Sequence, residues 1–337
     1  MAVNVKSCYL FLLDNLNQTF IPAERPLDET VDGAYYFLEK NIGKCMKNPA
    51  GRPATFREDS EIRKSFLEYR NRSISFLEFA REVAIKRYEF KERYEIFTAS
   101  DLFICEVEVG DVEHVIGLEL TCKEEMIHHV KQIEGGIQNN LIVHQAVIPQ
   151  ANLKNANYFM IGLDKLNLTI IEKMISTVDD DTYLYADKIL ECETNISIKE
   201  AIKTARMVAD EIIEQHELEK LVVVPALEQV IKETINVGDN VDLQKIADEV
   251  FYNDPVAKSA YISELDNHGI DKPVLNQNAV KIPIKKMQKL KTDTGIEISV
   301  PLDFYNNKDY IEVVSEPNGR LSIQIKNIGS VENKRHG

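Results

Sequence analysis

Six lysines, Lys272, Lys281, Lys285, Lys286, Lys289 and Lys291, fall within residues 272–292, a stretch that contains no acid. A second cationic stretch, residues 44–93, has thirteen bases against eight acids and includes Arg57 and Arg63. Cationic side chains on an ordered surface neutralise nucleic-acid phosphates and release condensed counterions. Five lysines of 281–291 acting together would make log K fall with log salt at a slope of about −4.5. Such contacts hold a backbone and carry no sequence information. The candidate DNA contacts are therefore Lys281, Lys285, Lys286, Lys289 and Lys291, joined by Arg57 and Arg63. The same lysines also have a plainer reading, as a solvated face or a sheet edge blunted against aggregation.

Residues that could do covalent or metal chemistry do not assemble into a pattern. Gly51-Arg52-Pro53 and Gly135-Gly136 lack the context of a phosphate-cradling loop. His128 and His129 are adjacent and must point to different faces of a helix or strand. Cys122 has no second Cys/His pair at zinc spacing to complete a ligand set. Asp179-Asp180-Asp181 reads as a solvated turn, and no G-x-S-x-G elbow occurs. The sequence thus points to no catalytic residue, no metal and no cofactor.

Charge is divided unevenly along the chain. The total is −15 with a pI near 5.1, which argues against coating DNA by bulk electrostatics. Residues 172–219 carry a net −8 and residues 106–125 a net −6. The cationic stretches stand against this acidic background. Five scattered cysteines with no C-x-x-C pair fit a reduced cytoplasm. No apolar run approaches the roughly 18–20 residues of a membrane span. The N-terminus has no basic n-region, and Asp14 interrupts its apolar stretch, so export is not expected.

The elements that must carry these groups can be read from periodicity. Residues 3–13 form an apolar strand, with 17–21 as a partner. Asp59 or Ser60 caps a helix with Ile62, Phe66 and Tyr69 on one face. Ser75-Phe76-Leu77-Glu78 is a capping box opening a helix striped by Phe76, Phe79, Ala80, Val83, Ala84 and Tyr88. Leu102–Val109 and Val112–Leu120 read as strands joined by Gly110-Asp111, a loop suited to a II′ hairpin. Leu141–Ile148 is a further strand, and Tyr158–Leu163 with Leu166–Met174 a second hairpin.

From Ser197 the pattern turns helical, with a second capping box at Ser197–Glu200 and shorter helices expected at 226–236, 243–252 and 255–267. Asp254, Pro255 and Gly269 mark the start and stop of the last one. The pattern then returns to strands: Ile296, Ile298, Val300 and Leu302 on one side of a first strand, Leu321, Ile323 and Ile325 on one side of another, with turn chemistry at Pro317-Asn318-Gly319. The expected class is α+β, with an N-terminal mixed antiparallel sheet with helices (1–194), a helical middle region (195–270), a small C-terminal antiparallel β segment (271–330) and a loose tail (331–337).

Lys291-Thr292-Asp293-Thr294-Gly295-Ile296-Glu297-Ile298, running on to Pro301, and Asn318-Gly319 through Ile325-Lys326-Asn327-Ile328 resemble the C-terminal signature of the NdpA-like bacterial nucleoid-associated protein family. Weaker echoes lie at Phe76-x-x-Phe79-Ala80, at Asp101-Leu102-Phe103-Ile104 and between Tyr185 and Cys192. The resemblance implies a cytoplasmic bacterial protein found with the nucleoid, acting through DNA association without catalysis. It adds Lys326 to Lys291 as a backbone contact, and it casts Glu297 as a partner for a lysine. The expected partner is the phosphate backbone of double-stranded DNA. A homodimer would let two modest basic faces grip one duplex. The competing reading is an acidic interaction or scaffold protein recruited to the nucleoid through a protein partner.

Overall fold

A computed structural model describes the chain apart from Met1, Asp32, Leu153, Asn306 and residues 177–180, 238–239, 276–285, 316–319 and 333–337. The chain divides into two compact units, Met1–Ser197 and Ile198–Gly337. The class is mixed α+β, as the sequence implies.

The first unit opens with β1 (Val3–Asp14), β2 (Thr19–Ile21), α1 (Ala34–Met46), β3 (Arg52–Phe56), α2 (Glu61–Arg70) and α3 (Phe76–Arg93). It continues with β4 (Ala99–Val109), β5 (Val112–Thr121), β6 (Lys123–Ile133), β7 (Gly136–Val147), β8 (Ala156–Gly162) and β9 (Leu168–Ile171). The short pair β10 (Ile175–Ser176) and β11 (Asp181–Thr182), a π-helical turn at Leu184–Ile189 and β12 (Cys192–Thr194) complete it. Eight strands form one sheet in the order β12-β3-β9-β8-β5-β4-β1-β2, and every neighbouring pair is antiparallel.

Both faces of this sheet are covered, so its central strands are apolar on both sides. Along β4, Leu102 and Ile104 join the core shared with α2 and α3, whereas Phe103, Cys105 and Val107 join the core shared with α1. Period-two geometry sends alternate residues to opposite faces, and burial of both faces is what makes the run continuously apolar. The turn between β4 and β5 places Gly110 at φ 63°, where a side chain would be strained.

Two N-terminal capping signals operate as read. Ser60 Oγ accepts from the Arg63 amide at 3.0 Å, and Ser75 with Glu78 forms the reciprocal capping box. Phe66, Tyr69, Phe76 and Phe79 then stack between α2 and α3 at centroid distances of 5.4–5.9 Å. The β8–β9 connection is longer than expected. The Gly162 amide donates to Asn167 O, and Leu166 turns at φ 54°, so Asp164-Lys165 is only part of the loop.

The second unit holds α4 (Ile198–Gln215), α5 (Lys220–Val237), β13 (Asn240–Val241), α6 (Leu243–Val250), α7 (Pro255–Asn267) and β14 (Val274–Leu275). It ends in the β15 (Met287–Lys291)–β16 (Glu297–Pro301) hairpin, the short α8 (Leu302–Tyr305), and the pair β17 (Ile311–Ser315)–β18 (Leu321–Ile325). Asp254 caps α7 by accepting from the Val256 and Ala257 amides, and Gly269 follows its end at φ 74°.

Helix α5 begins six residues before the expected 226 and contains Pro225. Proline removes the N–H that would bond the carbonyl four residues earlier. That carbonyl belongs to Leu221, and the Tyr305 hydroxyl donates to it at 3.1 Å. Tyr305 thereby satisfies the gap and ties α5 to the small core of Leu290, Val300 and Ile311. In β18, Leu321 and Ile325 are more than half exposed, and only Ile323 of that expected apolar stripe packs on this core. The expected turn at Pro317-Asn318-Gly319 lies outside the described residues.

Candidate nucleic-acid interface

The lysine-rich stretch itself becomes a strand. β15 pairs antiparallel with β16 through Gln288↔Val300, Lys289↔Ser299, Leu290↔Ile298 and Lys291↔Glu297. Leu290 and Val300 are buried, so their side of the hairpin is its core face. Lys289, Ser299, Lys291 and Glu297 are exposed on the other side. Thr292-Asp293-Thr294-Gly295 makes the turn: the Thr292 amide donates to Ile296 O at 2.9 Å, the Gly295 amide to Thr292 O at 3.0 Å, and the Ile296 amide to Thr292 Oγ1 at 2.9 Å. Gly295 sits at φ 86°, the backbone geometry the signature implies. Ile296 is exposed, so it is not a core position of the signature.

The candidate contacts are not alike. Lys281 and Lys285 lie outside the described residues. Lys286 and Lys289 are exposed, and among the described residues no carboxylate lies within ion-pair distance of either. Lys291 pairs with Glu297 at 3.4 Å, with both side chains well exposed. Lys326 pairs with Glu312, whose carboxyl is held below its usual range by that hydrogen bond and charge.

In the first unit, Arg57 donates to Asp187 O at 3.1 Å and faces Asp59 at 4.0 Å. Arg63 is half-buried, and its side chain makes no ion pair among the described residues. Arg70 and Arg72 line a groove of about 630 Å³ together with Glu78, Glu106 and Glu113, so the local field there is mixed.

Counting charge by segment overstates the surface cations of residues 44–93. Arg52, Arg87 and Lys91 are buried. Arg87 donates to Glu119 through Nε at 2.8 Å and Nη2 at 3.3 Å. The Glu119 carboxylate also accepts from Ser100 Oγ at 2.7 Å, Asn157 Nδ2 at 3.0 Å and the Tyr185 hydroxyl at 3.1 Å. Burial alone pushes the Glu119 carboxyl up, but Arg87 and Lys91 overcome it and hold it at about 2.

Lys91 Nζ donates to Ser100 Oγ, Thr98 O and Leu13 O, and burial pulls it down to about 8 against the attraction of Glu119. Nearby, Glu172 accepts the Tyr185 and Ala186 amides at 2.8 Å each, at the start of the π-helical turn. Burial raises its carboxyl to about 7 despite those bonds and Arg52 at 3.8 Å. The Arg52 guanidinium lies 3.5 Å from the Tyr183 ring centroid.

This network clamps α3, β4, β5, β8 and the π-helical turn together. A signal for it was present in the sequence. Arg87 and Lys91 continue the Val83/Ala84 stripe of α3 at helical spacing, which places both cations on the buried face. Gly117 assists from β5: a Cβ there would lie 2.0 Å from the Phe159 ring, which packs 5.5 Å from Tyr185.

His128 and His129 project to opposite faces of β6, and among the described residues no three His, Cys, Asp or Glu side chains gather as metal ligands. Asp181 pairs in the β10–β11 bridge, while Asp179 and Asp180 lie outside the described residues. No described helix is long and apolar enough to cross a membrane.

These features define an α+β protein that spends Arg87, Lys91 and Glu119 on its buried structure and carries exposed lysines on a C-terminal hairpin. The family model for nucleoid-associated protein YejK matches residues 13–333, and the chain belongs to that family. The family is defined by nucleoid association and not by a reaction. No curated protein matches the sequence.

Proposed function

We propose that this protein binds duplex DNA without sequence preference, as a non-enzymatic nucleoid component, through phosphate contacts from exposed lysines on and beside the β15–β16 hairpin. The observation that carries this reading is the pair Lys286 and Lys289, exposed and uncompensated among the described residues, in a chain of the nucleoid-associated family. Lys281 and Lys285 extend the same cationic run in sequence, and Lys291 joins it when DNA displaces Glu297. Lys326, Arg57 and Arg63 are secondary contacts, because Lys326 and Arg57 already serve acceptors of the chain itself.

Duplex binding measured by fluorescence anisotropy across a salt series tests the proposal. Affinity falls steeply as salt rises, and Lys286→Ala with Lys289→Ala reduces the slope by about 1.8. Replacing Lys285, Lys286 and Lys289 with Glu abolishes most binding while the circular-dichroism spectrum is retained. Unchanged affinity in that triple variant removes this face from the mechanism. A second reading has its own support, since both signature lysines, Lys291 and Lys326, are paired with carboxylates. In that reading a basic protein partner docks on the acidic surface and brings the chain to the nucleoid. Absence of any duplex binding at low salt selects it.

A further inference from the structure

Cys8 of β1 and Cys105 of β4 stand directly opposite each other in the antiparallel pairing of the two strands. Cross-strand neighbours project to the same face of a sheet, and here it is the face covered by α1. The Cys105 thiol donates to Cys8 Sγ at 2.9 Å, and both side chains are fully buried. A disulfide holds its sulfurs about 2.05 Å apart, so bonding this pair needs a closure of less than about 1 Å. Directly opposed antiparallel residues also lie within the Cα separation of about 4.4–6.8 Å that a disulfide requires. No other two sulfurs of the five cysteines are in contact among the described residues. Cys192, for example, donates to Ala186 O at 3.4 Å instead.

We propose that Cys8 and Cys105 form an oxidation site, which a hydroperoxide converts from a dithiol to an intrachain disulfide. Access comes through β1. Strand β2 pairs only with Leu12–Asp14, so at Cys8 the strand has β4 on one side and no strand on the other. The Leu27 amide covers this edge by donating to Cys8 O at 2.7 Å. The β1–β4 register also shifts between Val5 and Ser7, which interrupts the ladder beside Cys8. An edge strand with an interrupted ladder opens locally more readily than a central one, and each opening brings the Cys8 sulfur to solvent. There the Cys8 thiolate attacks the peroxide, the O–O bond breaks, and Cys8 S–OH forms as one water leaves. When β1 closes, the Cys105 sulfur attacks that S–OH, its own proton leaves with the hydroxyl as a second water, and the S–S bond forms. The two sulfurs together give up two electrons to the peroxide. Burial holds the Cys105 thiol well above its usual range, so Cys105 reacts second. The bond cross-links positions 8 and 105 and fixes the edge strand to its neighbour.

The inference does not depend on DNA binding and is tested without it. The full chain, folded, is treated with hydrogen peroxide, then denatured in an alkylating agent, digested and read by mass spectrometry. Cys122→Ser is run alongside, because it removes the one cysteine that is not buried. In both samples the Cys8 and Cys105 peptides are recovered joined, and dithiothreitol releases them. Hydrogen exchange of the β1 amides slows at least about 10-fold in the oxidised protein. In folded Cys105→Ala, Cys8 remains as S–OH and is captured by dimedone. Cys8 and Cys105 alkylated as free thiols after peroxide overturn the proposal, and this wild-type measurement decides it even where Cys105→Ala fails to fold. So does a bond that forms only when peroxide is added to the unfolded chain. Absence of dimedone capture in folded Cys105→Ala overturns the assignment of Cys8 as the first sulfur to react.

Discussion

Positive side chains in the first unit and in the C-terminal hairpins meet carboxylates in opposite surroundings. Arg87, Lys91 and Glu119 are withdrawn from water, and five donors converge on one carboxylate. Lys291 and Glu297 face each other in solvent. In the first setting the Coulomb attraction is strong, but desolvation is costly, so an orphaned partner is the main danger. In the second, water and salt screen the pair, and either partner can be taken by a competing ion. Burial turns cations into clamps, whereas exposure leaves them available for phosphate.

The sharpest way to break this comparison is to orphan the buried cations. Glu119→Ala should cost about 3–5 kcal/mol, read as faster hydrogen exchange in α3 and β5, because a chain of two units need not melt in one transition. A loss below about 1 kcal/mol would show that the network is not a clamp. Next in size is Tyr305→Phe, which leaves the Leu221 carbonyl beside Pro225 without its donor and should cost about 1–3 kcal/mol in the second unit. Exchange of the α5 amides measures it.

Acid and base titrations distinguish the two buried carboxylates. Glu119 is depressed to about 2, so its stabilisation is present above the ordinary carboxylate range and is lost as pH falls toward 2. Glu172 is raised to about 7, so its contribution is complete below the ordinary carboxylate range and is lost as pH rises through 7. Glu172→Gln should flatten stability between about pH 4.5 and 7 while leaving the acid limb from Glu119 unchanged. The smallest effect belongs to the exposed pair. Glu297→Gln should change stability by less than about 1 kcal/mol, yet should raise duplex affinity a few-fold by releasing Lys291. Unchanged affinity in anisotropy would remove Lys291 from the interface.

Elements of the first unit that carry local cap and turn signals were legible, whereas α1, β3 and β6 were not read from the sequence. Ser75 and Glu78 announce a helix start by satisfying amides three residues apart, and Gly110 permits the turn it occupies. Helix α5 was misjudged at its start because Pro225 ordinarily closes a helix. The donor that removes the penalty, Tyr305, lies eighty-four residues away. The candidate site was legible only in part. The run of lysines is visible, but the acid facing each one depends on strand register.

The amino-acid order by itself determined the mixed α+β class, the caps and turns, the uneven charge and the family signature. These rest on interactions within a few residues, whose geometry the backbone fixes. Tertiary structure decided which charges are buried and which are exposed. It paired Arg87 with Glu119 and Lys291 with Glu297 and left Lys289 outward. Desolvation and Coulomb attraction depend on distance in space, which separation along the chain does not encode.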